Sequence, residues 1–267
     1  MCLVFFHYDT HPAYRLIVAA NRDEFYDRPT APAVFWDDAP DLLAGRDLKE
    51  GGTWLGITGT GRMAALTNYR DPHSQKEDAP SRGMIISDFL RGREEPLDYL
   101  QRLARNADQY NHFSLILGDS SHLYFFSSRG GILRSLSPGI YGLSNHLLNT
   151  RWPKVERGKK ALESLLSKEK KPSPEAIFDI LTDRSRADDN LLPDTGVGLE
   201  WERILSPMFI ISPEYGTRSS TVLMIDREDN ATFAERVFDS EPDSPKTTKY
   251  EFKINPAGNC SATDSHR

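Results

Sequence analysis

The chain has 267 residues, of which 38% are hydrophobic and 27% are charged, and its formal net charge is −6. This composition excludes an intrinsically disordered chain, and the acidic balance argues against a nucleic-acid partner, because phosphate binding depends on clustered Lys and Arg. The apolar runs are too short to span a bilayer and no signal-peptide pattern precedes them, so we expect a cytoplasmic protein without integral membrane association.

Cysteine and histidine usage gives no sign of a metal centre. The two cysteines, Cys2 and Cys260, cannot form a disulfide framework and have no CxxC spacing, and the seven histidines are scattered. The glycine-rich segment 51–56 lacks the Lys-Ser or Lys-Thr that completes a phosphate-binding loop. We therefore expect no metal and no nucleotide cofactor.

The chain opens with two predicted hairpins. Residues 3–8 and 15–21 are β-rich runs on either side of turn-forming residues, and the second run is so apolar that it predicts a strand buried on both faces. Residues 54–58 and 63–68 predict a second hairpin around a glycine-rich turn. Both pairs indicate antiparallel sheet.

Helices and further strands then follow in separate blocks. Helices are predicted over 82–90 with Ser81 as the N-cap, over 97–107, over 152–166, and over 174–181 with Ser173 as the N-cap. Residues 183–202 are typical of a surface loop. The short strands are predicted over 113–118, 123–127, 132–136, 140–144, 209–211, 219–226, 231–238 and 249–254.

This block order predicts an α+β fold of four layers, with helices packed outside two stacked antiparallel sheets in an αββα sandwich. Alternating βαβ units would require strands and helices to follow one another singly. We expect one domain over residues 1–254 and a disordered tail over 255–267.

Cys2 is the first candidate for chemistry. Removal of Met1 before this small residue would place a thiol and an α-amine on the same residue, so that nucleophile and base are supplied together. An α-amine with a pKa of about 7.7 accepts a proton near neutral pH. The alternative is that a cysteine occupies position 2 without a functional role.

A run of four polar residues, Asn21, Arg22, Asp23 and Glu24, follows the buried strand. The predicted hairpin folds this run back toward the start of the chain, where a carboxylate would hold the protonated α-amine and Arg22 would favour the thiolate. The alternative is a turn that is locked by an Arg–Asp pair.

Two asparagines and one arginine follow or precede other predicted strands. Asn68 and Asn145 each come after apolar strand residues, and such an amide donates to a developing oxyanion. Asn is also a common turn residue at strand ends. Arg218 precedes a strand and is suited to bidentate carboxylate binding or to a structural salt bridge.

Six short motifs stand out when the chain is taken as a whole. They lie at residues 1–2, 19–25, 51–56, 65–69, 141–145 and 215–218. Together they closely resemble the NRDE family, also called the transport and Golgi organisation protein 2 family, and the resemblance extends from Met1 to about Phe252.

The resemblance implies the N-terminal-nucleophile hydrolase fold, which is also an αββα sandwich. Cysteine amidohydrolases of that fold, such as the choloylglycine and penicillin acylases, place a Cys after the initiator Met, an Asp after the second strand, two Asn and a late Arg. The residues at matching motif positions are Cys2, Asp23, Asn68, Asn145 and Arg218. Those acylases carry an Arg where this chain has Ala20, and its own arginine is Arg22.

The resemblance also implies what the pocket binds. NRDE proteins look like haem-trafficking proteins, with a proposed link to acyl-coenzyme A and lipid metabolism, so haem or an amphipathic acyl molecule is the expected ligand and haem donor or acceptor proteins are the expected partners. Under this carrier hypothesis Arg22 or Arg218 binds the ligand's carboxylates. The expected ligand-binding residues are Asn21, Arg22, Glu24, Trp54, Tyr69 and His146.

The enzyme hypothesis gives the same residues catalytic roles. Cys2 attacks an amide or thioester carbonyl of an acyl substrate, and Asn68 and Asn145 stabilise the oxyanion. We rank the carrier hypothesis slightly above the enzyme hypothesis on the strength of the family resemblance.

Overall fold

The computed structural model describes residues 2–119, 121–238 and 245–256, which form thirteen strands and five α-helices. The strands are β1 Cys2–Tyr8, β2 Tyr14–Phe25, β3 Thr30–Trp36, β4 Ala39–Asp47, β5 Leu55–Thr58, β6 Met63–Asn68, β7 Phe113–Gly118, β8 Leu123–Ser127, β9 Ile132–Ser135, β10 Gly139–Leu143, β11 Tyr215–Asp226, β12 Asn230–Val237 and β13 Lys246–Lys253. The helices are α1 Gly83–Arg91, α2 Pro96–Ala104, α3 Pro153–Lys168, α4 Pro174–Leu181 and α5 Leu199–Ile204.

The strands form two antiparallel sheets. The first has the order β10-β1-β2-β11-β12-β13 and the second the order β3-β4-β5-β6-β7-β8-β9. Alternation along β1 explains their stacking: Val4 and Phe6 are buried between the sheets, while Leu3 and Phe5 are buried on the opposite face. A strand with both faces apolar requires cover on both sides.

Helices supply that cover on the two outer faces. Ile86 and Phe89 of α1 pack on the outside of the second sheet together with α2. Leu162 of α3 and Phe178 of α4 pack on the outside of the first sheet. The fold is therefore the α+β sandwich of two antiparallel sheets and flanking helices that the sequence predicts.

Both predicted hairpins are confirmed, as β1–β2 and β5–β6, and so is the N-cap of α4. The hydroxyl of Ser173 accepts a hydrogen bond from the backbone N–H of Ala176 at 3.2 Å. The predicted cap of α1 is wrong by one residue, because Arg82 occupies the N-cap position and Ser81 precedes it.

Three segments differ from the prediction. Residues 30–47 form β3 and β4, where no strand is predicted, and the loop predicted over 183–202 contains the start of α5. Residues 209–211 form no strand of their own, because Ile211 makes only an isolated bridge with Gly216. A short polar or proline-containing segment does not show its pairing in its own periodicity.

The predicted tail lies largely outside the described residues, which end at Pro256, and so does Cys260. Asn255 belongs to the ordered part, since its backbone N–H donates to the carbonyl of Gly59 at 2.8 Å. Among the described helices, none combines the length and the apolar composition that a bilayer crossing requires.

Candidate active site

Cys2 lies at the open end of the layer between the two sheets, on a cavity of about 210 Å³. The register of β1 and β2 pairs Cys2 with Arg22 and Leu3 with Asn21. Directly paired residues project from the same face of a sheet, so the thiol and the guanidinium share one side. Six predicted residues line this cavity, namely Cys2, Arg22, Asp23, Glu24, Trp54 and Asn68.

The Cys2 thiol is half-buried, and its burial raises its pKa above the ordinary value for a thiol. The charge of Asp23 raises that pKa further, while the positive charge of Arg22 acts in the opposite direction. The balance leaves the thiol protonated at neutral pH. A nucleophilic role for Cys2 therefore requires a base within reach of its proton.

Arg22 is only 5% exposed and is held by an aromatic ring from the opposite sheet. Its guanidinium carbon lies 4.3 Å from the centre of the Trp54 ring, and its Nη1 donates to the hydroxyl of Thr30 at 3.1 Å. Gly45 makes this stacking possible, because a Cβ there would lie 2.5 Å from the indole Cη2. The stacking and the Thr30 bond together fix the position of the planar guanidinium.

Asp23 is 1% exposed, and its Oδ1 accepts a hydrogen bond from the hydroxyl of Thr217 at 2.7 Å. Burial raises the pKa of this carboxyl, and the positive charge of Lys154 opposes the rise. Because the strands run antiparallel, the backbone nitrogen of Cys2 points along β1 toward the position opposite Asp23. The backbone of Asp23 is thus next to the atom that would become the α-amine, and the charge of its carboxyl acts on Cys2.

Lys154 is a second buried charge on the same side of the sheet. It is 3% exposed, its Nζ donates to the carbonyl of Leu205 at 2.9 Å, and burial lowers its pKa to about 8. The positive charge of Lys154 favours the ionised form of Asp23 and so acts against the effect of burial on this carboxyl.

A chain of buried hydrogen bonds leads to the opposite wall of the cavity. Glu202 forms an ion pair with Arg70 at 2.5 Å, and Arg70 donates to Oδ1 of Asn145 at 3.5 Å. The amide nitrogen of Asn145 donates in turn to the carbonyl of Asn68 at 3.0 Å. Asn68 lines the cavity, whereas Asn145 is fully buried behind it and acts on the cavity through Asn68.

The start of α1 closes the cavity at Arg82, a residue that the sequence prediction of the site did not include. Its Nη1 donates to the carbonyl of His112 at 3.2 Å, and both Glu24 and Cys2 lie close enough to influence its charge. The turn before β5 approaches α1 closely, since a Cβ on Gly52 would lie 2.4 Å from the carbonyl carbon of Gly83. Only glycine permits this contact.

The other predicted residues do not line the cavity. Asn21 faces the helices, where its amide donates to the carbonyls of Leu181 and Met208, both at 2.9 Å. The hydroxyl of Tyr69 pairs with the ring of His146 at 2.6 Å. These three residues stabilise the scaffold around the site.

Arg218 also lies away from the cavity. Its Nη1 donates to the carbonyls of Phe25, Tyr26 and Arg28, at 2.9, 3.1 and 3.2 Å. It therefore fixes the segment that follows β2, and with it the position of Glu24.

Three charged residues in or near the candidate site, Lys154, Glu202 and Arg82, were not among those that the sequence predicts. Lys154 and Glu202 lie on helices whose amphipathic pattern gives no reason to expect a charge inside. Arg82 carried one usable signal, since it stands at the predicted start of α1, but nothing in the sequence shows that α1 starts beside Cys2. Helix-to-sheet packing decides all three positions.

Comparison with known proteins gives relatives over nearly the whole chain. The transport and Golgi organization protein 2 homologs of Bos taurus and Homo sapiens are 38% identical over 276 residues and 36% identical over 277 residues, and each alignment covers 95% of this chain and 99% of the relative. The solved structure of the C2A mutant of conjugated bile acid hydrolase from Clostridium perfringens aligns with a TM-score of 0.52 at 8% identity, covering 99% of this chain and 100% of that chain.

The structural match shows that the two proteins share a fold, that of the N-terminal-nucleophile hydrolases. A family model described as "Transport and Golgi organisation 2" matches residues 1–240. The chain therefore belongs to the transport and Golgi organisation 2 family, also called the NRDE family, as its motifs predict.

Proposed function

We propose that this protein is an acyl hydrolase that uses Cys2 as its nucleophile and cleaves an amide or thioester bond of a small polar acyl compound. One observation carries the proposal: Cys2, Arg22 and Asn68, which come from different strands, line a single cavity. These groups correspond to a nucleophile, a charge that favours the thiolate, and an oxyanion donor.

The proposed reaction begins after Met1 has been removed. The freed α-amine accepts the proton of the Cys2 thiol while Sγ attacks the substrate carbonyl, so a C–S bond forms and the carbonyl oxygen becomes an oxyanion to which Asn68 donates. The intermediate collapses, the C–N or C–S bond of the substrate breaks, and the leaving group takes the proton. Water then hydrolyses the acyl-enzyme thioester with the same amine as base.

The buried charges behind β2 support this use of the amine. In this proposal the Asp23 carboxyl holds the α-ammonium, and Lys154 is a second buried cation whose charge acts on the same carboxyl. The structural neighbour supports the position of the nucleophile, since its C2A substitution removes a cysteine at the second residue of that hydrolase.

Haem carriage remains the second candidate because the family resemblance implies it. The cavity at Cys2 does not favour it, since about 210 Å³ is below the roughly 300–1,000 Å³ of pockets for drug-sized ligands, and its wall is mostly polar. A haem carrier would need a different surface of this protein.

The first test is the intact mass of the purified protein before and after brief exposure to a cysteine-directed acylating agent. Cys260→Ser is the working background, so that Cys2 is the one remaining thiol. We expect Met1 to be absent and one acyl group to add to Cys2 and then to leave. Retention of Met1, or a permanent acyl group, would overturn the proposal.

The second test separates the two candidates by haemin titration of the wild type and Cys2→Ser. The rate at which an alkylating agent reacts with Cys2 is measured in the same titration. We expect haemin to leave this rate unchanged. A saturable Soret change that disappears in Cys2→Ser would favour the carrier function at this cavity over hydrolysis.

A further inference from the structure

The cavity beside Cys2 contains two arginines whose charge no carboxylate of the described residues neutralises by an ion pair. Within the described part of the chain, Arg22, which is 5% exposed, donates a hydrogen bond only to the hydroxyl of Thr30, and Arg82 donates only to the carbonyl of His112. A guanidinium has five donors, and burying its charge without a counterion is costly. Such a pair indicates a place for a negatively charged group.

The acidic residues of the same wall do not cancel this charge. Asp47 is committed to Arg28 at 2.6 Å, and Glu50 is exposed at the rim. Asp23 points to the opposite face of its strand, toward Thr217. These carboxylates are therefore either paired or directed away from the two arginines.

Glu24 is the carboxylate that remains inside the cavity. Burial alone would raise its pKa, but its bond from the Phe25 N–H and the charges of Arg22 and Arg28 leave the pKa below the ordinary value. It is ionised, and the buried carboxyl of Glu235, with a pKa of about 7, also acts on Arg22. Among the described residues neither carboxyl forms an ion pair with Arg22 or Arg82, so both guanidinium groups keep donors without a charged acceptor.

We propose that Arg82, together with Arg22, binds a carboxylate on the substrate of this site, so that the protein acts on short anionic acyl compounds. The inference rests on the proposed hydrolase function and names its substrate class. Arg82 and Cys2 line the same cavity and lie close enough for their charges to interact, so one small molecule there can present its carboxylate to the arginine and its carbonyl to the thiol. A planar fork suits a carboxylate in two parallel bonds.

Three chromogenic substrates distinguish which part of the substrate carries the charge. Butyryl nitroanilide is neutral, glutaryl nitroanilide has a carboxylate on the acyl side, and butyryl carboxynitroanilide has it on the leaving group. For wild type we expect one of the charged substrates to exceed the neutral one in kcat/KM by about 10-fold or more, the effect of one charge-assisted pair. Equal kcat/KM values for all three would overturn the inference.

Variants of Arg82 then test the residue itself. Arg82→Gln should abolish the preference and Arg82→Lys should keep part of it, because a lysine retains the charge but not the fork. The matched control is Arg93→Gln, an exposed arginine beyond the end of α1, which should leave the preference intact. An unchanged preference in Arg82→Gln would remove the residue from the site.

A binding measurement keeps the inference separate from turnover. In the Cys260→Ser background, glutarate should slow alkylation of Cys2 by iodoacetamide in a saturable way, whereas glutaramide should not, and Arg82→Gln should weaken the glutarate effect about 10-fold or more. Protection by glutarate without turnover of any acyl substrate would sink the hydrolase proposal and keep the anion site. Turnover of an acyl substrate together with equal protection by glutarate and glutaramide would keep the hydrolase proposal and reject the anion site.

Discussion

At the scale of single residues, Asn145 shows how a predicted catalytic group can act through another one. Its amide donates to the carbonyl of Asn68 and accepts from Arg70, and it is fully buried. Asn145→Asp keeps the acceptor for Arg70 but loses the donor to Asn68. We expect kcat for acyl transfer to fall roughly 10- to 100-fold with little change in KM, because the oxyanion donor is displaced.

The control for this variant is Asn190→Asp, which adds the same charge at an exposed position. Thermal unfolding of both proteins shows whether the loss of rate follows from loss of fold. An unchanged kcat in Asn145→Asp would mean that Asn68 keeps its position without this bond, and the positioning role would be rejected.

The buried amine of Lys154 predicts how the free energy of unfolding depends on pH. Its pKa is lowered by burial from 10.5 to about 8, so between these values the unfolded chain binds more protons than the folded one. The free energy of unfolding should therefore rise with pH across that window, by about 3 kcal/mol in total if the window could be completed. Urea unfolding at several pH values above 8 measures the slope.

Lys154→Met tests the assignment, because methionine carries no proton to lose. We expect its unfolding free energy to be nearly flat in pH over the same window, which ends where exposed tyrosines begin to titrate near pH 10. A variant as steeply pH-dependent as wild type would place the proton uptake on another group.

At the scale of elements, the sequence identifies those whose signal is local. The β1–β2 and β5–β6 hairpins follow from alternation and turn residues, and α4 follows from Ser173 and Pro174. In contrast, β3 and β4 include prolines, which weaken strand signals, and they join the sheet because β4 pairs with both β3 and β5. Helix α5 has six residues, too few for a visible period.

The residues of the candidate site also fall into those that the local sequence predicts and those that it does not. The polar run that follows β2 could be predicted to lie near Cys2, because a hairpin register is local and pairs Cys2 with Arg22. The approach of Arg82 to this run depends on how α1 packs across the sheets, and that packing leaves no trace in the local sequence. The sequence therefore predicts the nucleophile's own strands better than the wall that faces them.

The Ser173 cap of α4 is expected to contribute to the free energy of unfolding. Ser173→Ala removes the acceptor for the Ala176 N–H and should lower the free energy of unfolding by about 1 kcal/mol. Urea unfolding at neutral pH measures this difference. The same change at Ser164, exposed within α3, should have no such cost, since alanine is the better helix former there. Equal effects at both positions would show that the cap contributes nothing.

At the scale of the whole molecule, Glu235 links the two sheets. It lies on β12 with 1% of its surface exposed, and its Oε2 accepts a hydrogen bond from the backbone N–H of Ala33 on β3 at 2.6 Å. Burial raises the pKa of this carboxyl to about 7, and the bond from Ala33 offsets only part of the rise. The contact between the sheets is therefore made by a group that titrates near neutral pH.

The raised pKa of Glu235 determines how the free energy of unfolding changes with pH. A carboxyl with a raised pKa in the folded state binds more protons when folded than when unfolded, between about pH 4.5 and 7. The free energy of unfolding should fall as pH rises through this window, by about 3 kcal/mol for a shift of this size. Above pH 7 the carboxylate stays charged between the sheets, and the free energy of unfolding is lower by that amount.

Glu235→Gln separates the charge from the hydrogen bond, because the amide oxygen still accepts from Ala33 but never ionises. Urea unfolding between pH 5 and pH 8 should show the variant more stable than wild type at the upper end and similar to it at the lower end. Glu163→Gln on α3, where the side chain is exposed, should run parallel to wild type throughout. If Glu235→Gln also ran parallel, the sheets would be held together without a titrating contact, and the pH dependence would have to arise elsewhere.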